Sequence, residues 1–106
     1  MPATAIKPFK SPWNVGGQKA DDIEVRAPLL EDMLAAENEA NPVTNPNAYT
    51  VAMAACTTVR AGNFTGPFTM AHFKKMKPSQ WNVVRDALAE AEQLGEAEPS
   101  AQVPTT

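Results

Sequence analysis

Few side chains in this sequence have the chemistry for bond-making. It holds one histidine, His72, and one cysteine, Cys56. His72 sits beside Phe73, Lys74 and Lys75 in an amphipathic turn. A general base needs an orienting partner and a reacting group nearby, and the sequence identifies neither. Cys56 falls on the apolar face of a helical stretch, where a free thiol behaves as a small hydrophobe. A lone cysteine forms no internal disulfide, which fits a reducing compartment, and no cysteine and histidine cluster has the spacing to hold zinc. Lys74, Lys75 and Lys77 form a short basic run, read as a solvated face because so few lysines hold phosphate weakly at physiological salt. Gly16-Gly17 lacks the spacing of a phosphate loop and reads as a hairpin turn. The carboxylates Asp86, Glu90 and Glu92 are spread along one helix and Glu31, Asp32 and Glu37 along another, where solubility accounts for them. Glu37 follows an apolar stripe and is placed to pair across an interface. The chain is therefore read as non-enzymatic, with no cofactor and no metal.

Composition narrows the class further. The 106 residues suit one domain. The apolar fraction of 43% is ordinary, but much of it is alanine and only 7% of residues are aromatic. Small side chains bury little area, and small domains are marginal for that reason, so a chain like this is expected to gain stability from partners. A net charge of −3 without basic excess argues against a nucleic-acid binder. No basic-then-apolar leader and no apolar run of membrane-spanning length is present, so the expectation is a soluble, cytoplasmic protein with no membrane contact.

The elements that would carry these side chains are organised around Ile23 to Glu37. Ile23, Val25 and Ala27 alternate with Glu24 and Arg26, the period of a half-buried strand. After Pro28 the apolar residues fall at Leu30, Met33, Leu34 and Ala36, which is helical spacing. Pro28 suits a first helical turn, and Glu31 and Asp32 are favoured there by the helix dipole. Residues 4–10 and 20–27 read as the arms of an irregular hairpin, together spanning about 4–27, with Ser11-Pro12-Trp13-Asn14 turn-like and Trp13 near the tip. Its exposed edge is expected to let subunits pair. Helices are expected at about 28–38, 47–61, 69–75 and 78–93. The second has Val51, Ala52, Ala55, Cys56 and Val59 on one face, Asn47 as cap and Gly62 as stop. Thr69 caps the short third one. Phe64, Phe68, Met70, Phe73 and Met76 supply core bulk, and Trp81, Val84, Leu88 and Ala91 the buried stripe of the last helix, which Gly95 ends. Residues 96–106 are polar and proline-containing and are expected to be disordered. Strands followed by helices give an α+β class, a hairpin and then three to four helices in a small bundle, with residues 1–95 as the single domain.

The order of segments resembles the small tail assembly chaperones of long-tailed, Mu-like bacteriophages. That family's strand usually reads apolar-polar-apolar-Arg-Arg-Pro, followed by an acid and a Leu-Leu-Ala-Ala-Glu-like helix. Val25, Arg26, Pro28, Asp32, Leu34, Ala35, Ala36 and Glu37 match it, over a resemblance that covers roughly residues 5–93. Ala27 stands where the second arginine belongs, so a paired basic site is not expected. The resemblance implies a protein that binds the helical, apolar tape-measure protein during tail assembly and is shed as the tube polymerises. It also implies host-cytoplasmic location and absence from the mature virion. Such chaperones are often made in two lengths by frameshifting, so a frameshift-extended form of the chain is an implied partner, beside self-association. The surface expected to hold a client helix or another subunit comprises Leu30, Met33, Leu34, Val51, Met53, Ala55, Val59 and Met70. Methionines help such a surface accept varied helices, although Met33 and Met76 are expected to fill gaps in the chain's own core. The competing expectation is a minor structural protein of the virion, in the tail or at the head–tail joint.

Overall fold

The computed structural model describes residues 4–97. Two long strands, β1 (Thr4–Val15) and β2 (Gln18–Arg26), form an antiparallel hairpin. A third, β3 (Thr58–Ala61), pairs antiparallel with β2, giving the order β1-β2-β3. The helices among the described residues are α1 (Leu30–Glu39), α2 (Pro46–Thr57), α3 (Met70–Lys74) and α4 (Pro78–Ala97). Helix α4 crosses β1 and β2, and α1 packs against α2. The α+β class holds, but the expected order of hairpin and then helices does not, because β3 is inserted between α2 and α3.

The hairpin follows from alternation. Ala5, Phe9, Trp13 and Val15 of β1 are buried, with Ile23 and Val25 of β2 beneath the same helix layer. The two-residue turn has φ of 60° at Gly16 and 76° at Gly17. Both values are positive, as a type I′ turn requires and as glycine supplies at little steric cost. The arms are longer than expected, because Ser11-Pro12-Trp13-Asn14 lies within β1 instead of forming a turn. The structure has a bulge there: pairing jumps from Pro8↔Asp22 to Trp13↔Ala20. A proline that donates nothing is tolerated on an edge strand and at a bulge. Gln80 of α4, buried, completes the irregularity by donating from Nε2 to the carbonyls of Ser11 (3.1 Å) and Pro12 (3.0 Å). Its Oε1 accepts from the Lys77 N–H at the start of α4 (2.9 Å). Pro8, Pro12 and the bulge also interrupt the outer edge of β1. The hairpin edge expected to recruit another subunit therefore offers no continuous ladder.

Trp13 is the centre of the core and not the tip of a turn. Its ring lies 5.1 Å from Phe73, 6.0 Å from Phe9 and 6.5 Å from Phe68, centroid to centroid. Phe64, Phe68 and Met76 pack against this cluster and Phe73 is buried in it, as expected; Met70, expected with them in the core, lines a surface recess instead. Val84, Ala87 and Ala91 are the fully buried stripe of α4, with Trp81 and Leu88 half-buried at its margins.

Helix α2 begins at Pro46, after Asn45, and ends at Thr57, four residues before the expected end near 61. Thr57, Thr58 and Val59 are β-branched and stiff at χ1. The Oγ1 of Thr58 donates to the Ala54 carbonyl (2.7 Å), and the chain then leaves extended along β2. Arg60 fixes it there, with Nε 3.0 Å from Glu24 Oε1 and Nη1 2.9 Å from Asp22 Oδ1. Gly95 does not end the last helix, which continues through Glu96 and Ala97. A Cβ at Gly95 would stand 2.5 Å from that of Ala27, so glycine here lets α4 meet the strand–helix junction. The expected disordered tail is corrected at 96 and 97, and its remainder, 98–106, lies outside the described residues.

Candidate functional site

Helix α1 is set by an ion pair. Arg26, the last residue of β2, donates from Nη1 to Asp32 Oδ2 and from Nη2 to Asp32 Oδ1, both at 2.8 Å. This is the bidentate fork that suits a guanidinium to a carboxylate. Nη2 also reaches the Cys56 carbonyl in the last turn of α2 (3.0 Å). Asp32 Oδ2 accepts the Leu29 N–H at 2.8 Å, which caps α1 from its third position. One arginine thus ties the end of β2, the start of α1 and the end of α2. Arg26 beside it holds the Asp32 carboxyl below its ordinary range, partly opposed by burial.

That pair turns α1 inside out. The residues it buries are Asp32, 6% exposed, and Ala36. Leu30, 68% exposed, and Leu34, 54% exposed, point away from the body, with Met33 beside them and Leu29 at the start. Residues at i, i+3 and i+4 share one helix face, so Leu30, Met33 and Leu34 form one apolar ridge over a polar, ion-paired underside. An exposed apolar patch of this kind is a candidate contact surface.

Recesses flank the ridge. One, of about 550 Å³, lies between α1, α2 and α3 and is lined by Ala35, Ala52, Ala55, Cys56, Phe68 and Met70 among others. A second, of about 400 Å³, lies between α1, α2 and α4 and includes Met33, Tyr49, Met53 and Leu88. The expected contact residues are therefore brought together in part. Leu30, Met33 and Leu34 share the ridge, Met33 and Met53 line the second recess, and Ala55 and Met70 line the first. Val51 instead packs against the core, and Val59 is exposed on β3. Met33 lies on the surface, which corrects its assignment as a filler of the chain's own core, whereas Met76 packs against that core as expected. Leu29, Leu88 and the carboxylates Glu92 and Glu96 near the groove are additions. The period of α4 pointed toward Leu88 alone.

The side chains first considered for chemistry take structural positions. His72 is the third residue of α3, and its Nδ1 accepts the Thr69 N–H at 3.0 Å. Its ring meets Phe64 at 5.5 Å edge to face. Cys56 is half-buried beside the first recess, and burial pushes its thiol up, away from the thiolate a nucleophile needs. Among the described residues, no three His, Cys, Asp or Glu side chains come together as metal ligands would. No helix among them is long and apolar enough to cross a membrane.

The fold and this face define an α+β domain with an outward apolar helix. Compared with protein-family models, curated proteins and solved structures, the chain matches none of them.

Proposed function

We propose that this chain is a non-enzymatic tail assembly chaperone of the long-tailed bacteriophage kind, which holds a tape-measure protein soluble in the host cytoplasm and is left out of the finished virion. The observation that carries this reading is the inversion of α1. A helix that buries Asp32 and exposes Leu30 and Leu34 has its apolar side available to another polypeptide. A client helix laid along it would bury apolar surface. Many weak contacts repeated along a long client would gain from multivalency and still be displaced as the tube forms. Other copies of the chain, and a frameshift-extended form of it, are proposed secondary partners.

The test is co-expression with the gene product encoded just downstream, followed by pull-down on the full chain. Co-purification of that protein, lost on Leu34→Asp, is the expected result. Capture undiminished by Leu34→Asp and by Leu30→Asp would remove the ridge from the mechanism. Mass spectrometry of intact virions separates the competing reading, because a minor tail or head–tail joining protein would be found there and a chaperone would not.

A further inference from the structure

The ridge is bordered by charge of one sign. Between Pro28 and Thr57 the chain carries Glu31, Asp32, Glu37 and Glu39 and no lysine or arginine. Asp32 is spent on Arg26, while Glu31, Glu37 and Glu39 are exposed on α1. Across the groove, α4 presents Glu92 and Glu96. A recess of about 260 Å³ lined by Leu29, Leu30, Met33, Glu92 and Glu96 shares Pro28, Met33 and Glu92 with the 400 Å³ recess beside it. The two make one groove along α1, apolar in its floor and with Glu92 and Glu96 on its α4 lip. Arg85 is the one cation lining it. The lysines of the chain, Lys7, Lys10, Lys19, Lys74, Lys75 and Lys77, lie on the hairpin and around α3.

We infer that the groove between α1 and α4 binds a basic amphipathic helix of a partner protein, one with a leucine-type stripe flanked by lysine or arginine. This names the class of client for the face under Proposed function and rests on that reading. Charge selects the occupant. A neutral or acidic helix would gain the same apolar contact but would set its flanks against Glu92 and Glu96. A second copy docked α1 to α1 would place its own Glu31 and Glu37 against those of the first, and like charges brought together at an interface oppose it. Lysine or arginine flanks meet these carboxylates instead, reaching them with long apolar stems laid on the leucines.

The experiment uses the full chain and two synthetic helices with the same leucine stripe, one with lysine flanks and one with glutamate flanks. Affinities are read by fluorescence anisotropy. The lysine probe should bind about tenfold tighter in low salt, the sum of several rim ion pairs. The gap should close toward equality near 0.5 M salt, where such pairs are screened over a few ångströms. Glu92→Gln with Glu96→Gln, on the exposed surface, should weaken the lysine probe severalfold and leave the glutamate probe unchanged or tighter. Leu30→Asp, in the lining of the groove, should weaken both. Equal binding of the two probes, or binding of neither, overturns the inference. So does sedimentation showing a dimer of the chain alone that Leu34→Asp dissolves, because the face would then belong to a second copy. Failure here with the downstream protein still captured leaves the chaperone reading standing. A clear lysine preference with no capture sinks that reading and keeps the groove.

Discussion

At the scale of single residues, the structure turns on Arg26 and Asp32. Removing one partner of a buried pair costs roughly 3–5 kcal/mol because the other charge is left uncompensated. Here the Arg26 side chain keeps 27% exposure, so water can reach the orphaned guanidinium. Asp32→Ala also strips the cap from Leu29, and an unmade buried hydrogen bond costs about 1–3 kcal/mol. The expected loss at pH 7 is about 2–3 kcal/mol, read from urea unfolding curves. The pH dependence has a definite sign. The folded carboxyl titrates below its ordinary value of 3.8 because Arg26 favours the charged form. The unfolded chain then binds more protons through that window, so stability rises with pH there. The pair's contribution is complete above about pH 4 and is lost as pH falls through the folded value. The gap between wild type and Asp32→Ala should accordingly narrow toward pH 3. A constant gap would show that the carboxylate acts through shape alone. Asp22, held low by Arg60 in the same way, leaves the variant some acid sensitivity of its own.

At the scale of elements, what was legible in the sequence was local and periodic. The alternation of Ile23 and Val25, the paired glycines and the 3.6-residue stripe of α4 depend on near neighbours, and each gave its element. What was not legible depended on distant parts of the chain. Val51, Ala55 and Val59 kept helical spacing past Thr57, and nothing local showed that Asp22 and Glu24 wait across β2 for Arg60. The strand β3 is a tertiary override of a helical pattern, with only the β-branched Thr57-Thr58-Val59 run as a hint. Pro12 read as a turn because the Gln80 amide that satisfies its bulge lies far along the chain. Gly95 read as a helix stop because the alternative reason for glycine, a neighbour at close range, is invisible in sequence. That neighbour supplies a prediction. Gly95→Ala alone should be destabilising, since the new methyl overlaps the Ala27 Cβ at 2.5 Å and overpacking of this kind costs about 1–3 kcal/mol. In an Ala27→Gly background the overlap is gone, and the helix preference of alanine over glycine, about 1 kcal/mol, should show through. A reversal of sign between the two backgrounds in thermal unfolding confirms the contact, and the same sign in both refutes it.

At the scale of the whole molecule, folding and binding use different sides of α1, and this separates two effects that the sequence merges. Read as a stripe, Leu30, Met33 and Leu34 could be core, and a charge at Leu34 would then unfold the chain. The structure puts that stripe outside and gives the inside to Asp32 and Ala36. Exposed substitutions away from caps and cores usually change stability within about 0.5 kcal/mol, and aspartate's weaker helix preference adds a few tenths. Leu34→Asp should therefore move the urea midpoint by less than about 1 kcal/mol equivalent, while Ala36→Asp, at a fully buried position beside α2, should cost several times more. Leu34→Asp should at the same time abolish capture of the client, because it takes a leucine off the ridge and sets a charge where the client's apolar stripe would lie. Stability kept and binding lost, in one variant, is a combination that a core position cannot produce. If Leu34→Asp unfolds the chain as strongly as Ala36→Asp does, α1 carries its leucines inward in solution, and the outward face on which the functional reading stands does not exist.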